Sequence, residues 1–259
     1  MIRGAVQPDA AGWASQARAL FLKDVRAELR TRVALSSVGL FTFAALLLIA
    51  LATRVLKETL TVDLARLPEA VTSEQIRAHM LPAWDDPGKM GLLWVLLIFS
   101  AFAGLAHSFV HEEEAGTTLA LRLSMAPGAV YAGKLCFNLA VVLCVAAIAT
   151  PAYVLITGLH TGPIAEFLVL MIAGCLGLGA VATIVAALAA KARGTGGLFG
   201  ALGLPLLIVF ELMLLNAANT LYGGDVTPLQ SIKDFGGLIS YSVLLIAVSA
   251  VTFHFVWEE

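Results

Sequence analysis

Six long apolar runs separated by shorter polar stretches dominate the chain. They cover approximately residues 33–53, 90–110, 135–158, 165–190, 198–217 and 236–257. A helix needs about 20 mostly apolar residues to cross a hydrocarbon core about 30 Å thick. Continuous runs of that length predict helices, since short alternating strands would be needed for a membrane barrel. The expected fold is an all-α integral membrane protein with six transmembrane helices. Pro151 and Pro205 fall inside the third and fifth runs, where a missing backbone donor predicts kinks. The fourth run, ‘AGCLGLGAVATIVAALAA’, is rich in small residues that let helix backbones approach closely. It belongs inside the bundle or at a partner interface.

The polar stretches divide the chain into an N-terminal segment, 1–32, and a six-helix domain, 33–259. Within the first, ‘WASQARALFLKDVRAELRTR’ predicts an amphipathic helix. Leu20, Phe21, Val25 and Leu29 recur near helical spacing, while Arg18, Lys23, Arg26 and Arg30 lie mainly elsewhere around it. A basic helix with a compact apolar face settles into the membrane interface. The long loop 54–89 mixes acidic and basic residues, and ‘TSEQ’ at 72–75 fits a capping box opening a short surface helix.

The stretch ‘FVHEEEAGTTLALRLSMAPGAVYAGKL’, residues 109–135, joins the second run to the third. Glu112, Glu113 and Glu114 stand where a helix either starts or leaves the membrane, Gly116 breaks it, and Thr117 or Thr118 can cap the next turn. Leu119, Leu121 and Leu123 supply an apolar surface that Pro127 and Gly128 are expected to end. A short helix of this kind suits a groove on a soluble partner. A plain solvated loop is the alternative.

Composition sharpens this picture. Of 259 residues, 59% are hydrophobic and 13% charged, with a mean hydropathy of +0.91. A soluble domain carries roughly 25% charged residues, so the bilayer is the expected solvent. A net charge of -2 excludes an electrostatic nucleic-acid binder. The first 32 residues lack the early apolar core of a secretion signal, so the first run is expected to be retained. With the N-terminus inside, ten basic residues fall on the inner side and six on the outer, and Arg26, Arg30 and Arg32 cluster beside the first run. Both termini and the 111–134 segment are therefore expected in the cytoplasm.

Candidate chemistry is sparse. Gly128 to Lys134, ‘GAVYAGK’, matches G-x-x-x-x-G-K formally, but Leu135 stands where a phosphate loop needs Ser or Thr, and no strand precedes it. This chain is not expected to hydrolyse ATP. Cys136, Cys144 and Cys175 lie in apolar runs and read as small buried hydrophobes. His107 and His111 are one turn apart, but two ligands make no metal site and they more simply mark the end of the second span. Glu211 alone lies deep within an apolar run, ‘LLIVFELMLLN’. A functional carboxylate facing a cavity and a structural, bundle-facing one both remain open.

The basic helix, six spans, the loop after span two and ‘GGLFGALGLPLL’ opening span five resemble an ABC-2-type ABC transporter permease. Within that class the chain is most similar to the haem exporter protein B family of cytochrome c maturation (CcmB). Glu112, Glu114, Gly116, Thr117, Leu119, Leu121, Gly133 and Lys134 carry the resemblance, with Gly196, Gly197 and Pro205. It covers most of the chain from about residue 17. Ser124 and Met125 intervene before Pro127, and Glu211 stands where the family is usually apolar.

The resemblance implies a multi-pass subunit of the bacterial inner membrane. Separate cytoplasmic ABC ATPase subunits would hold Mg-ATP and dock on the 111–134 coupling segment. The docking residues would be Glu112, Glu113, Glu114, Gly116, Thr117, Leu119, Leu121 and Lys134. Gly196, Gly197, Pro205 and Pro151 would serve helix packing or kinking, and Glu211 would be an intramembrane polar site. It also implies a haem-handling membrane protein and a haem chaperone as partners. Haem would be substrate rather than a firmly bound cofactor, since Trp13, Trp84, Trp94 and Trp257 are too scattered for a tryptophan-rich haem motif. Either haem itself or release of a haem-loaded chaperone could be driven. The rivals are an ABC-2 permease exporting a drug, lipid or polysaccharide, an ion-coupled transporter using Glu211, and a structural scaffold.

Overall fold

A computed structural model describes residues 10–65, 86–114, 124–191, 196–222 and 228–258. Among these residues there are seven helices: α1 (Ala10–Thr31), α2 (Val33–Ala65), α3 (Asp86–Glu114), α4 (Pro127–Thr157), α5 (Ile164–Lys191), α6 (Gly196–Tyr222) and α7 (Pro228–Glu258). Helices α2 to α7 each contain a stretch long and apolar enough to cross a membrane. The protein is an all-α, multi-pass membrane protein.

Helix α1 is the expected amphipathic element. At its end Arg32 adopts a left-handed φ of 57°, uncommon for a side chain with a Cβ, and the chain turns into α2. Glu28 stabilises the turn, its Oε1 accepting the Leu35 N–H at 2.7 Å. That supplies a partner to one orphan donor at the start of α2 and puts negative charge at the positive end of its dipole. The elbow between α1 and the first span is thus a capped, defined joint.

Three helix boundaries differ from those expected, the last being that α7 begins at Pro228, not 236. The first spanning helix runs on to Ala65, where charged residues after residue 53 read as loop. Arg54 and Glu58, one turn apart with Nε–Oε1 at 3.5 Å, continue its outer face. The third begins at Pro127, not 135: Pro127 opens α4 instead of ending a preceding helix. Proline suits a first turn because its missing donor would have no intrahelical partner there. Pro151 and Pro205 both lie inside helices that remain continuous, exposed on their outer faces. The ‘TSEQ’ stretch lies outside the described residues.

Helix α5 is the hub, packing against α3, α4, α6 and α7. Its small residues make this possible. Trp94 of α3, fully buried, lies against Gly174, and Phe210 of α6 lies against Gly177. Polar contacts add direction: Asn138 Nδ2 donates to Thr183 Oγ1 at 2.8 Å between α4 and α5, and Ser242 of α7 donates to the Ala173 carbonyl at 3.1 Å. Helix α2 is peripheral, touching α3 and α4 and only slightly α1, with Leu40, Phe43, Leu47, Leu48 and Leu51 exposed along it. A buried polar tie joins it to α3, Thr42 Oγ1 donating to Ser100 Oγ at 2.9 Å. Cys136 and Cys144 face outward from the bundle, contrary to the expectation of burial; Cys175 is buried. An outward-facing thiol on a spanning helix meets lipid, which suits a small hydrophobe as well as a core does.

Candidate functional site

The elbow end of the bundle gathers the start of α4, the C-terminal end of α3 and the whole of α1. Helix α1 lies along the first turns of α4, which it contacts far more than it does α2. At the first turn, Gln16 Oε1 accepts the N–H of Ala126, the N-cap residue of α4, at 3.2 Å. Next to it the Trp13 indole nitrogen approaches Gly128, 3.2 Å from where a Cβ would stand. Two turns into α4, Gly133 meets α1 closely. A Cβ there would be 3.0 Å from both the Ala17 carbonyl oxygen and Leu20 Cβ, a tight approach that favours glycine. Leu20 is 2% exposed and joins the main core.

The next residue carries charge into this apolar seam. Lys134 Nζ lies 2.9 Å from Asp24 Oδ2, with the side chains 1% and 8% exposed. Lys23, half exposed, stands 3.4 Å from the other carboxylate oxygen. Two ions so far from water are tolerated only when closely paired. On the far side of the same turns, Tyr131 donates to the Ile246 carbonyl of α7 at 3.2 Å and its ring stacks obliquely on Phe253, centroids 5.5 Å apart. The start of α4 is thus clamped between α1 and α7.

This geometry changes the reading of ‘GAVYAGK’. The motif is helical throughout, so it forms no phosphate-cradling loop, and its final lysine is committed to Asp24. Lys134, expected on the docking surface, is instead enclosed between α1 and α4. Glu112, Glu113 and Glu114 form the backbone of the last turn of α3. Their side chains, and Gly116, Thr117, Leu119 and Leu121, lie outside the described residues, as do the side chains of His107 and His111. Gly196 and Gly197 open α6.

Sequence reasoning missed Asp24 and Gln16. Asp24 had a legible signal: it follows Leu20 by four residues, so a lone acid sits on the apolar stripe of a basic helix. Gln16 had none, since its partner is 110 residues away. Leu29, assigned to the apolar stripe, is 61% exposed.

The opposite end holds a separate polar group. Asp86 pairs with Lys89 at 3.1 Å and accepts the His160 N–H at 3.2 Å, while Tyr153 donates to the Lys89 carbonyl at 2.7 Å. Thr220 donates to Asp234, tying α6 to α7. Glu211 is half-buried towards α3, its Oε1 3.6 Å from where a Cβ on Gly91 would stand. Its other oxygen is buried with no hydrogen-bond partner among the described residues. No cluster of three metal-ligating side chains occurs among the described residues.

No curated protein and no solved structure matches the chain. The family model described as CcmB protein matches residues 88–254, from the first turn of α3 to near the end of α7. That match takes in five of the six spans and the start of α4 on which the elbow helix is seated, and the chain therefore belongs to the CcmB family, the ABC transporter permeases of haem export in cytochrome c maturation.

Proposed function

We propose that this permease is driven by separate cytoplasmic ATPase subunits docking on the 111–134 segment, between α3 and α4. The observation that carries this reading is family membership over 88–254, a range that contains the whole segment. The elbow geometry supports it. A segment entering α4 at Ala126 meets a helix start already held by α1 and α7, so a push there moves packed elements and is not absorbed locally. The basic cluster Arg26, Arg30 and Arg32 supports a cytoplasmic elbow end, with both termini on that side of a bacterial inner membrane. Mg-ATP belongs to the partner. Haem, directly or on a chaperone, is the substrate handled with a second haem-handling membrane protein.

The test is complementation of a strain lacking this chain, with covalent haem on c-type cytochromes as readout. The wild-type gene should restore it, and only alongside an ATPase subunit able to hydrolyse ATP. Restoration with a hydrolysis-dead ATPase would reject the coupling.

One observation favours a second reading: the buried, partnerless oxygen of Glu211 within a spanning helix fits a proton-carrying site. Glu211→Gln separates the two, keeping shape and hydrogen-bonding capacity while removing the titratable group. ATP driving predicts haem attachment within about twofold of wild type, a difference under about 0.5 kcal/mol. A proton-coupled carrier predicts near-complete loss.

A further inference from the structure

Apolar helix faces in contact can slide or rotate with little change in buried area, because hydrophobic attraction has no direction. Part of the seam between α1 and α4 is of this kind: Leu20, 2% exposed, lies against Gly133, and the Trp13 ring lies against Gly128. Three features oppose sliding, the first being the Gln16 Oε1 contact with the Ala126 N–H at 3.2 Å. At Gly133 the helices approach closely, with the Ala17 carbonyl and Leu20 Cβ each 3.0 Å from where a Cβ would stand. Asp24 and Lys134 meet at 2.9 Å in a site where the ammonium is 1% exposed. A shift of one helical turn, about 5.4 Å, would part the Lys134 ammonium from Asp24 in a seam where that ammonium is 1% exposed, which is unfavourable; Asp24 would keep Lys23, which moves with it on α1. With the Gln16 contact and the close approach at Gly133, the pair favours a single register between the helices.

At its other end α1 is joined to α2 through the left-handed Arg32 and the Glu28 carboxylate on the Leu35 N–H. Helix α2 has the fewest neighbours of its own, so it is the span most free to follow α1.

We infer that the buried Asp24–Lys134 pair is a positioning contact that makes α1 a lever, carrying displacement of the start of α4 to the first span. The inference rests on the coupling reading above and extends it: the ATPase stroke reaches span one through the elbow helix, not only through the spans flanking the docking segment. Asp24 and Lys134 are enclosed between α1 and α4 and act through the helices they align.

The experiment uses the full chain in its membrane complex, with three readouts: thermal stability in detergent, capture of the ATPase subunit, and covalent haem on c-type cytochromes. The informative variant is the double Asp24→Leu with Lys134→Met, which removes both charges and keeps the volume. Replacing a buried ion pair by apolar residues is often neutral or stabilising, so this variant should fold and capture the ATPase. A lever that has lost its register should still cut haem attachment roughly tenfold. The swap Asp24→Lys with Lys134→Asp should recover most of that loss. Asp24→Asn, which keeps the side-chain shape, is the milder variant should the double fail to insert, and should lower output in the same direction.

Wild-type haem attachment in the folded double variant, or in folded Asp24→Asn, would overturn the inference and leave the pair a structural clamp. Loss of ATPase capture by the double variant would also overturn it, making α1 part of the docking surface. Failure of the underlying reading looks different. The wild type itself would capture no ATPase, and the lever falls with it.

Discussion

Gly174→Ala should destabilise the bundle by about 3 kcal/mol, the upper end of the range for overpacked cores. The added methyl would stand 2.1 Å from Cη2 and 2.4 Å from Cζ2 of Trp94. Contacting carbons rest about 3.5–4.0 Å apart, so the ring or the helix must move by more than an ångström. Trp94 is fully buried, and close-packed interiors leave little room for a ring to move. Gly177 is a second such position, where a Cβ would stand 2.3 Å from the Phe210 ring. Thermal unfolding in detergent reads the effect. Gly39→Ala is the control: nothing lies within 4 Å of its Cβ position, and alanine is the better helix former, so stability should hold or rise slightly. Shrinking the ring with Trp94→Leu should recover part of the Gly174→Ala loss, a coupling expected only of residues in contact. Equal melting of Gly174→Ala and wild type would mean that α3 and α5 do not meet here.

The second large effect concerns the elbow. Asp24→Ala takes the carboxylate from an ammonium that is 1% exposed, and breaking a buried pair in this way costs about 3–5 kcal/mol. Lys134→Met should cost clearly less, although Lys134 is the more buried partner. Lys23 already lies 3.4 Å from Asp24 and, being half exposed, can shift towards it. The ordering Asp24→Ala worse than Lys134→Met follows from that neighbour. Unfolding midpoints of the two single variants, measured side by side, check it, and the reverse order would mean that Lys23 does not compensate.

Six spans were legible because lipid admits so few alternatives: any continuous apolar run of the right length must be helical to satisfy its backbone. The small-residue face of span four was legible for a similar reason, since Gly174 and Gly177 in a membrane helix announce close neighbours. Helix ends were harder. Residues 127–134 include two glycines and a lysine and look like loop, yet they are the first two turns of α4. What makes them helical is tertiary: α1 covers the glycines and Asp24 neutralises the lysine. No local pattern encodes a partner 110 residues away. The elbow helix itself was legible from its two-faced pattern, but its apolar stripe was drawn towards Leu29, which is exposed, and away from Asp24, which is buried. A charge on the buried stripe was the one local clue to the seam.

The most direct test of the coupling account is co-purification of the ATPase subunit from membranes with wild-type chain, with Glu112→Ala/Glu114→Ala, and with Gly116→Pro. Wild type should retain the ATPase, and both variants should lose most of it while inserting normally and keeping the wild-type melting temperature. Capture undiminished in both inserted variants, or absent from the wild type, would contradict docking at the segment between α3 and α4.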